Sequence, residues 1–215
     1  MSGGIDSTYC FWSYLNQYKD EKDKLLVFHV KLETGRRTSL AASYEMEAVE
    51  NILKWMDEHN LTNYYYIQST LLFEDLKPTS LDVSILGSMI GYLLRDLRFR
   101  RKLKYVIRTR CMDEINRTSG NLRNINITLN RANKVTKAIS DIELINLFPI
   151  AHVKKAEMLA QMPKDLSSLC LYCRKPLDNK TPCGECHTCK DANKAFKEVN
   201  LYENKPSENS FLLRK

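Results

Sequence analysis

Cys183-Gly-Glu-Cys186-His-Thr-Cys189 sets two CxxC steps end to end, and no other stretch restricts the possible folds as tightly. A CxxC turn aims two thiols at one centre, and a remote thiol completes a closed tetrahedral metal site. Cys170 and Cys173 are the candidates for that remote ligand. Gly184, directly after the first thiol, permits the tight turn such a knuckle needs. Five of the seven cysteines fall between Cys170 and Cys189, and the N-terminus carries no export signal. Metal chemistry therefore fits this chain better than a disulfide framework. Spacing and ligand softness favour Zn²⁺, with a [4Fe–4S] cluster as the rival. Four thiolates on zinc leave no open position, so the metal is expected to be structural. His187 is expected to be exposed, and Cys10 and Cys111 to be small core residues.

A second motif opens the chain. Ser2-Gly-Gly-Ile-Asp-Ser-Thr8 places two of only seven glycines side by side before a predicted helix. Glycines there let backbone amides turn inward as an anion-binding nest, and the helix N-terminus adds unpaired N–H groups. Hydroxyls of Ser2, Ser7 and Thr8 can donate to phosphate oxygens. Asp6 would orient the loop or hold Mg²⁺. A simple helix cap is the competing explanation, since Ser, Asp and Gly are favoured there too. The spacing and the missing lysine exclude a Walker A loop.

Between the motifs, short apolar runs alternate with amphipathic helices. Strands are predicted at Leu25 to Val30, Tyr64 to Ile67, Tyr105 to Ile107 and Leu144 to Ile150. Helices are predicted at Tyr9 to Tyr18, Ser39 to His59, Leu81 to Arg100, Ser119 to Ile139 and Lys154 to Gln161, with a short last one through Ala192, Phe196 and Val199. Ile85, Met89, Tyr92 and Leu93 should face inward from the third of these. The alternation predicts an α/β fold with a mainly parallel sheet covered on both faces. Three segments follow: residues 1–165 as the α/β domain, 166–200 as the cysteine segment and 201–215 as a tail. No window is apolar enough for a membrane span, which predicts a cytoplasmic protein. The net charge of +7 favours anionic partners. Arg95 to Lys104 is read first as the basic end of a helix and second as a nucleic-acid contact.

The loop resembles, residue for residue, the SGGxDS(T) signature of the PP-loop ATP pyrophosphatases. Loop and knuckle in this order resemble the 7-cyano-7-deazaguanine synthases within that superfamily. Phe28-His29, the helix opening at Ser39, Pro149-Ile150 with Lys154-Lys-Ala-Glu157, and Leu171-Tyr-Cys-Arg-Lys-Pro176 extend the resemblance along the chain. It implies a doubly wound, mainly parallel sheet with a small zinc subdomain and a homodimer. It also implies Cys173, Cys183, Cys186 and Cys189 as zinc ligands. Ser2, Gly3, Gly4, Asp6, Ser7 and Thr8 would hold ATP-Mg²⁺, with Asp6 and Ser7 as candidate catalytic residues. The implied reaction, in queuosine biosynthesis, adenylates 7-carboxy-7-deazaguanine, and ammonia carries the adenylate to the nitrile.

Two departures shape the expectations. Family members carry a buried strand just before the loop, where this sequence has only Met1. The family's YPD substrate stretch is replaced by Arg108 to Gly120, whose Arg108, Arg110 and Arg117 could meet a carboxylate, a phosphate or nucleic acid. A PP-loop enzyme with another acceptor, in nucleic-acid modification or defence, is one alternative. A catalytically inactive, zinc-stabilised nucleic-acid-binding relative is the other.

Overall fold

The computed structural model describes residues 1–34, 39–73, 82–100, 102–117, 122–177 and 181–201. The first half holds α1 (Ile5–Gln17), β1 (Leu25–Thr34), α2 (Ser39–Glu58), β2 (Tyr64–Phe73) and α3 (Asp82–Arg95). Then come β3 (Tyr105–Ile107), α4 (Met112–Arg117), α5 (Leu122–Ser140) and β4 (Ile145–Leu147). α6 (Lys155–Gln161), α7 (Lys164–Ser168), α8 (His187–Glu198) and a 3-10 turn (Val199–Leu201) complete the described chain. Residues 118–121, the tail beyond Leu201 and the side chains of Leu40, Arg117 and Ile125 lie outside the described residues.

The strands form two parallel pairs. β1 runs beside β2 with Leu25 opposite Tyr64 and Thr34 opposite Phe73, and β3 runs beside β4 with Tyr105 opposite Ile145. Each pair is joined through helices, as parallel strands require. Among the described residues the strands make two two-stranded sheets, where one continuous sheet was expected. The fold is thus mixed α/β with short parallel strands.

One core unites the halves. Ile5, Phe11 and Leu15 of α1 meet Val49, Ile52 and Met56 of α2, Val27 of β1, and Ile150, Met158 and Leu166 from beyond β4. α2 buries one helical stripe of Ala48, Val49, Ile52, Trp55 and Met56. It stops where Asn60 takes φ of 59° and Leu61 N–H bonds Met56 O at 2.9 Å, a Schellman closure. Trp55 Nε1 donates to Asp165 Oδ2 at 2.7 Å and ties the end of α2 to α7.

α3 corrects the predicted inner face. Tyr92 is 63% exposed, and Leu94 is buried instead. The packing surface is set by glycines: a Cβ on Gly87 would stand 2.8 Å from Ala132 O, and one on Gly91 2.9 Å from Ile139 Cβ. The two helices approach so closely that no side chain fits between them, and Thr136 Oγ1 donates to Gly87 O at 2.7 Å across the contact. α3 also ends at Arg95, so the basic run Arg95 to Lys104 is mostly turn, closed by Arg98 on Asp96 at 2.6 Å.

Candidate functional site

Helix α1 begins directly after Gly4, four residues before the predicted start, because Ile5 is an apolar anchor with 2% exposure. The glycine loop is thereby compressed into the few residues before it. Met1 N donates to Phe28 O, and His29 Nδ1 lies 2.7 Å from Met1 O, so the entering chain occupies the edge of β1. Gly3 then turns with φ of +67°, and a Cβ there would stand 3.2 Å from Ala48 Cβ. The turn favours glycine on both backbone and steric grounds.

The loop's polar atoms meet one another. Ser2 Oγ and Ser7 Oγ are 3.1 Å apart, and Ser7 Oγ donates to Gly4 O at 3.1 Å. Ser2 N–H reaches Ser7 Oγ at 3.4 Å and Gly4 N–H reaches Ser2 Oγ at 3.5 Å, both long bonds. Ser2 is exposed, while Ser7 and Thr8 are buried, Thr8 beside Cys170 on the core side. The sequence reading placed all three hydroxyls on one anion; the structure turns Thr8 inward.

Asp6, in the first turn of α1, meets a residue the sequence reading did not assign to the site. Lys155 Nζ lies 2.7 Å from Asp6 Oδ1, with both side chains under 20% exposed. Burial works most strongly against the Lys155 charge, but Asp6, together with Cys111 and Glu114, outweighs it and raises its pKa above the ordinary value. Lys155 opens α6, and its N–H donates to Asp113 Oδ2 at 2.6 Å, while Met112 N–H bonds Val153 O at 2.9 Å. Burial, with Asp6 nearby, pushes the Cys111 thiol up to about 12. The segments leaving β3 and β4 therefore converge on the start of α1. In parallel sheets this carboxyl-end side is where ligands bind. The only signal in the sequence was the Lys154-Lys-Ala-Glu157 likeness, which gave no reason to pair Lys155 with Asp6.

The cysteine knuckle is better defined. The Sγ atoms of Cys173, Cys183, Cys186 and Cys189 all lie within 4.8 Å of one another. A tetrahedral zinc with Zn–S near 2.3 Å needs sulfurs about 3.8 Å apart, and Cys183 and Cys189 stand at 3.9 Å. Gly184 takes φ of +71° between the first two ligands of the CxxC run. Cys186 is the N-cap of α8, where the positive helix end favours thiolate, while Cys189 in the first turn is buried and its thiol is pushed up. Backbone N–H groups of Lys175 and Cys183 point at Cys173 Sγ (3.4 and 3.2 Å), and that of Cys186 at Cys183 Sγ (3.4 Å). Burial opposes the Cys186 thiolate, but hydrogen bonds from Thr188 and the Arg174 and Cys189 amides prevail, lowering its pKa to about 5. This donor set fits a soft metal such as zinc.

Cys170 is excluded from the knuckle: its Sγ donates to Leu166 O at 3.8 Å, and burial raises it to about 12. Cys10 and Cys111 are buried core thiols, and His187 is exposed, all as expected. The two motifs touch. Leu171 N–H, two residues before the first ligand, bonds Gly3 O at 2.9 Å, and a Cβ on Gly4 would lie 3.6 Å from Leu171 O.

No family model and no curated protein matches the chain. No helix among the described residues is long and apolar enough to cross a membrane.

Proposed function

We propose that this chain is an ATP-dependent adenylating enzyme of the PP-loop type, acting on a carboxylate. The observation that carries the reading is the Asp6–Lys155 pair. It sets an acid and a base beside a positive-φ glycine turn, where the chain leaves the carboxyl ends of β3 and β4. Phosphate oxygens would replace the Ser2 and Ser7 hydroxyls as acceptors for the loop amides, whose present bonds are long. Mg²⁺, when bound, would supply charge neutralisation to the phosphates. Asp6 is the carboxylate placed to hold it, and Lys155, released from Asp6, would face the phosphates.

The acceptor carboxylate would attack the α-phosphorus, the bond to the β-phosphate would break, and pyrophosphate would leave. Positioning and charge neutralisation would supply the rate. The sequence resemblance nominates 7-carboxy-7-deazaguanine as acceptor, with ammonia displacing AMP from the adenylate to give the amide, and a second ATP activating the amide oxygen, which leaves as AMP to give the nitrile. The doubly wound sheet, the homodimer and a structural zinc in the knuckle belong to the same proposal.

Calorimetry with ATP-Mg²⁺ tests it. Binding should be at least tenfold weaker in Asp6→Ala, and pyrophosphate release with the deazapurine carboxylate should vanish. If the wild-type chain takes up no ATP-Mg²⁺ while holding zinc and staying folded, the enzyme reading fails. The inactive nucleic-acid-binding relative would then be favoured, with the exposed Arg95, Arg100, Lys102 and Lys104 as its contact.

A further inference from the structure

Four of the described cations are half-buried: Lys31, Arg108, Arg110 and Lys155. Three of them stand beside carboxylates, Lys31 at 2.7 Å from Glu33, Arg110 at 3.7 Å from Glu114 and Lys155 at 2.7 Å from Asp6. Arg108 does not. It follows the last residue of β3, and its N–H donates to Leu147 O of β4 at 2.8 Å, so it leaves the sheet at the carboxyl ends of both strands. Its Nε donates to Asn146 Oδ1 at 2.9 Å, and Asn146 Nδ2 donates in turn to Asn133 Oδ1 of α5 at 3.2 Å. Among the described residues no partner meets its Nη1 and Nη2.

A guanidinium partly out of water, braced on one edge by neutral amides, is, among the described residues, a cation without its counter-charge. Burial lowers the Arg108 pKa, yet an arginine stays charged at neutral pH. The amide brace fixes the plane of the fork and leaves its outer edge open. One unit charge in a planar fork matches one carboxylate; a polyphosphate would need several cations and a metal. The segment that follows Arg108 runs to Met112, whose N–H bonds Val153 O at 2.9 Å, and to Asp113, which accepts from the Lys155 N–H. Arg108 thus lies four residues before the start of the stretch that meets the Asp6–Lys155 pair.

We propose that Arg108, braced by Asn146 and Asn133, binds the planar carboxylate of the acceptor. The assignment rests on the adenylating reading and names the group that holds its substrate. Of the described candidates Arg108 and Arg110, Arg110 stands beside Glu114, and the bonding pattern favours Arg108.

The test uses the full zinc-loaded chain and compares 7-carboxy-7-deazaguanine, a panel of other aromatic monocarboxylates and the matching neutral amides by calorimetry. Arg108→Gln should bind the preferred carboxylate at least tenfold more weakly, with amide binding and ATP-Mg²⁺ binding within twofold of wild type. Asn146→Ala, which frees the fork while keeping its charge, should lose about threefold and serves as the milder variant if Arg108→Gln misfolds. Equal carboxylate affinity in wild type and both variants overturns the proposal, as does a wild type that prefers no carboxylate over its amide. Arg108-dependent carboxylate binding without ATP binding would sink the nucleotide reading and leave this site standing. ATP binding without carboxylate preference would do the reverse.

Discussion

The glycine loop and the cysteine knuckle solve the same local problem by opposite means. Each turns the chain on a glycine of positive φ, Gly3 at +67° and Gly184 at +71°. Gly3 is wedged against Ala48, Glu45 and Val49 of α2, whereas nothing lies within 4 Å of the place a Gly184 side chain would fill. The loop is shaped by its neighbours, and its own polar atoms make only weak mutual bonds. The knuckle is shaped by four sulfurs and one helix end, and it reaches the core only through residues such as Ala192, Ala195 and Tyr172. One turn is imposed from outside, the other from within.

Removing metal should separate the two most sharply. Chelation, or Cys173→Ser, should unravel the knuckle and the start of α8, since structural zinc contributes about 10–16 kcal/mol of apparent binding free energy at neutral pH. Hydrogen exchange should show protection lost first at residues 183–190, and mildly acidic buffer should do the same by protonating the ligands. Unchanged exchange there after complete metal removal would show the knuckle to be held by packing alone.

Alkali should attack the other region. Burial raises the Cys10, Cys111 and Cys170 thiols from 9.0 to about 12. These groups favour the folded chain fully below pH 9, and the benefit is lost as pH rises toward 12, because the unfolded chain gives up its protons first. Each group adds a slope of up to about 1.4 kcal/mol per pH unit in that window. Denaturant titrations should show stability falling steeply above pH 9, with a shallower fall in Cys10→Ala. A flat profile from pH 9 to 11 would contradict it.

The smallest effects test the glycines directly. Gly3→Ala meets both the wrong backbone region and the Ala48 methyl, which together cost about 2–4 kcal/mol. Gly184→Ala meets only the backbone penalty, about 1 kcal/mol. Melting curves that give equal losses at the two positions would erase the contrast.

Much of this was legible in the sequence, for reasons that differ by element. The α2 stripe was readable because periodicity and burial agree there, and the Tyr105 to Ile107 strand because a short run of aromatic and β-branched residues favours extended chain. β1 runs on to Thr34, past the predicted Val30, because Lys31 and Glu33 share one face and neutralise each other at 2.7 Å while Leu32 stays buried. An apolar run ends at Val30; the alternation does not. The face of α3 was misread because glycines carry no hydrophobic signal, although closeness to Ala132 is what seats the helix. α4 and α7 span only Met112–Arg117 and Lys164–Ser168, too short to show a period. Within the candidate site, the knuckle ligands were legible from spacing and from family likeness. The Asp6–Lys155 pair and the Arg108 brace were not, because each joins residues brought together only by the tertiary fold.

The backbone bond from Leu171 to Gly3 has a consequence for synthesis. A ribosome adds about 5–20 residues per second, so the turn at Gly3 waits on the order of ten seconds or more for the strap that closes over it. During that interval the glycine loop, made before the knuckle, waits for Leu171 to emerge before it is finished. A nascent chain stalled before Leu171 should present an open, protease-sensitive N-terminal segment to whatever meets it at the exit tunnel.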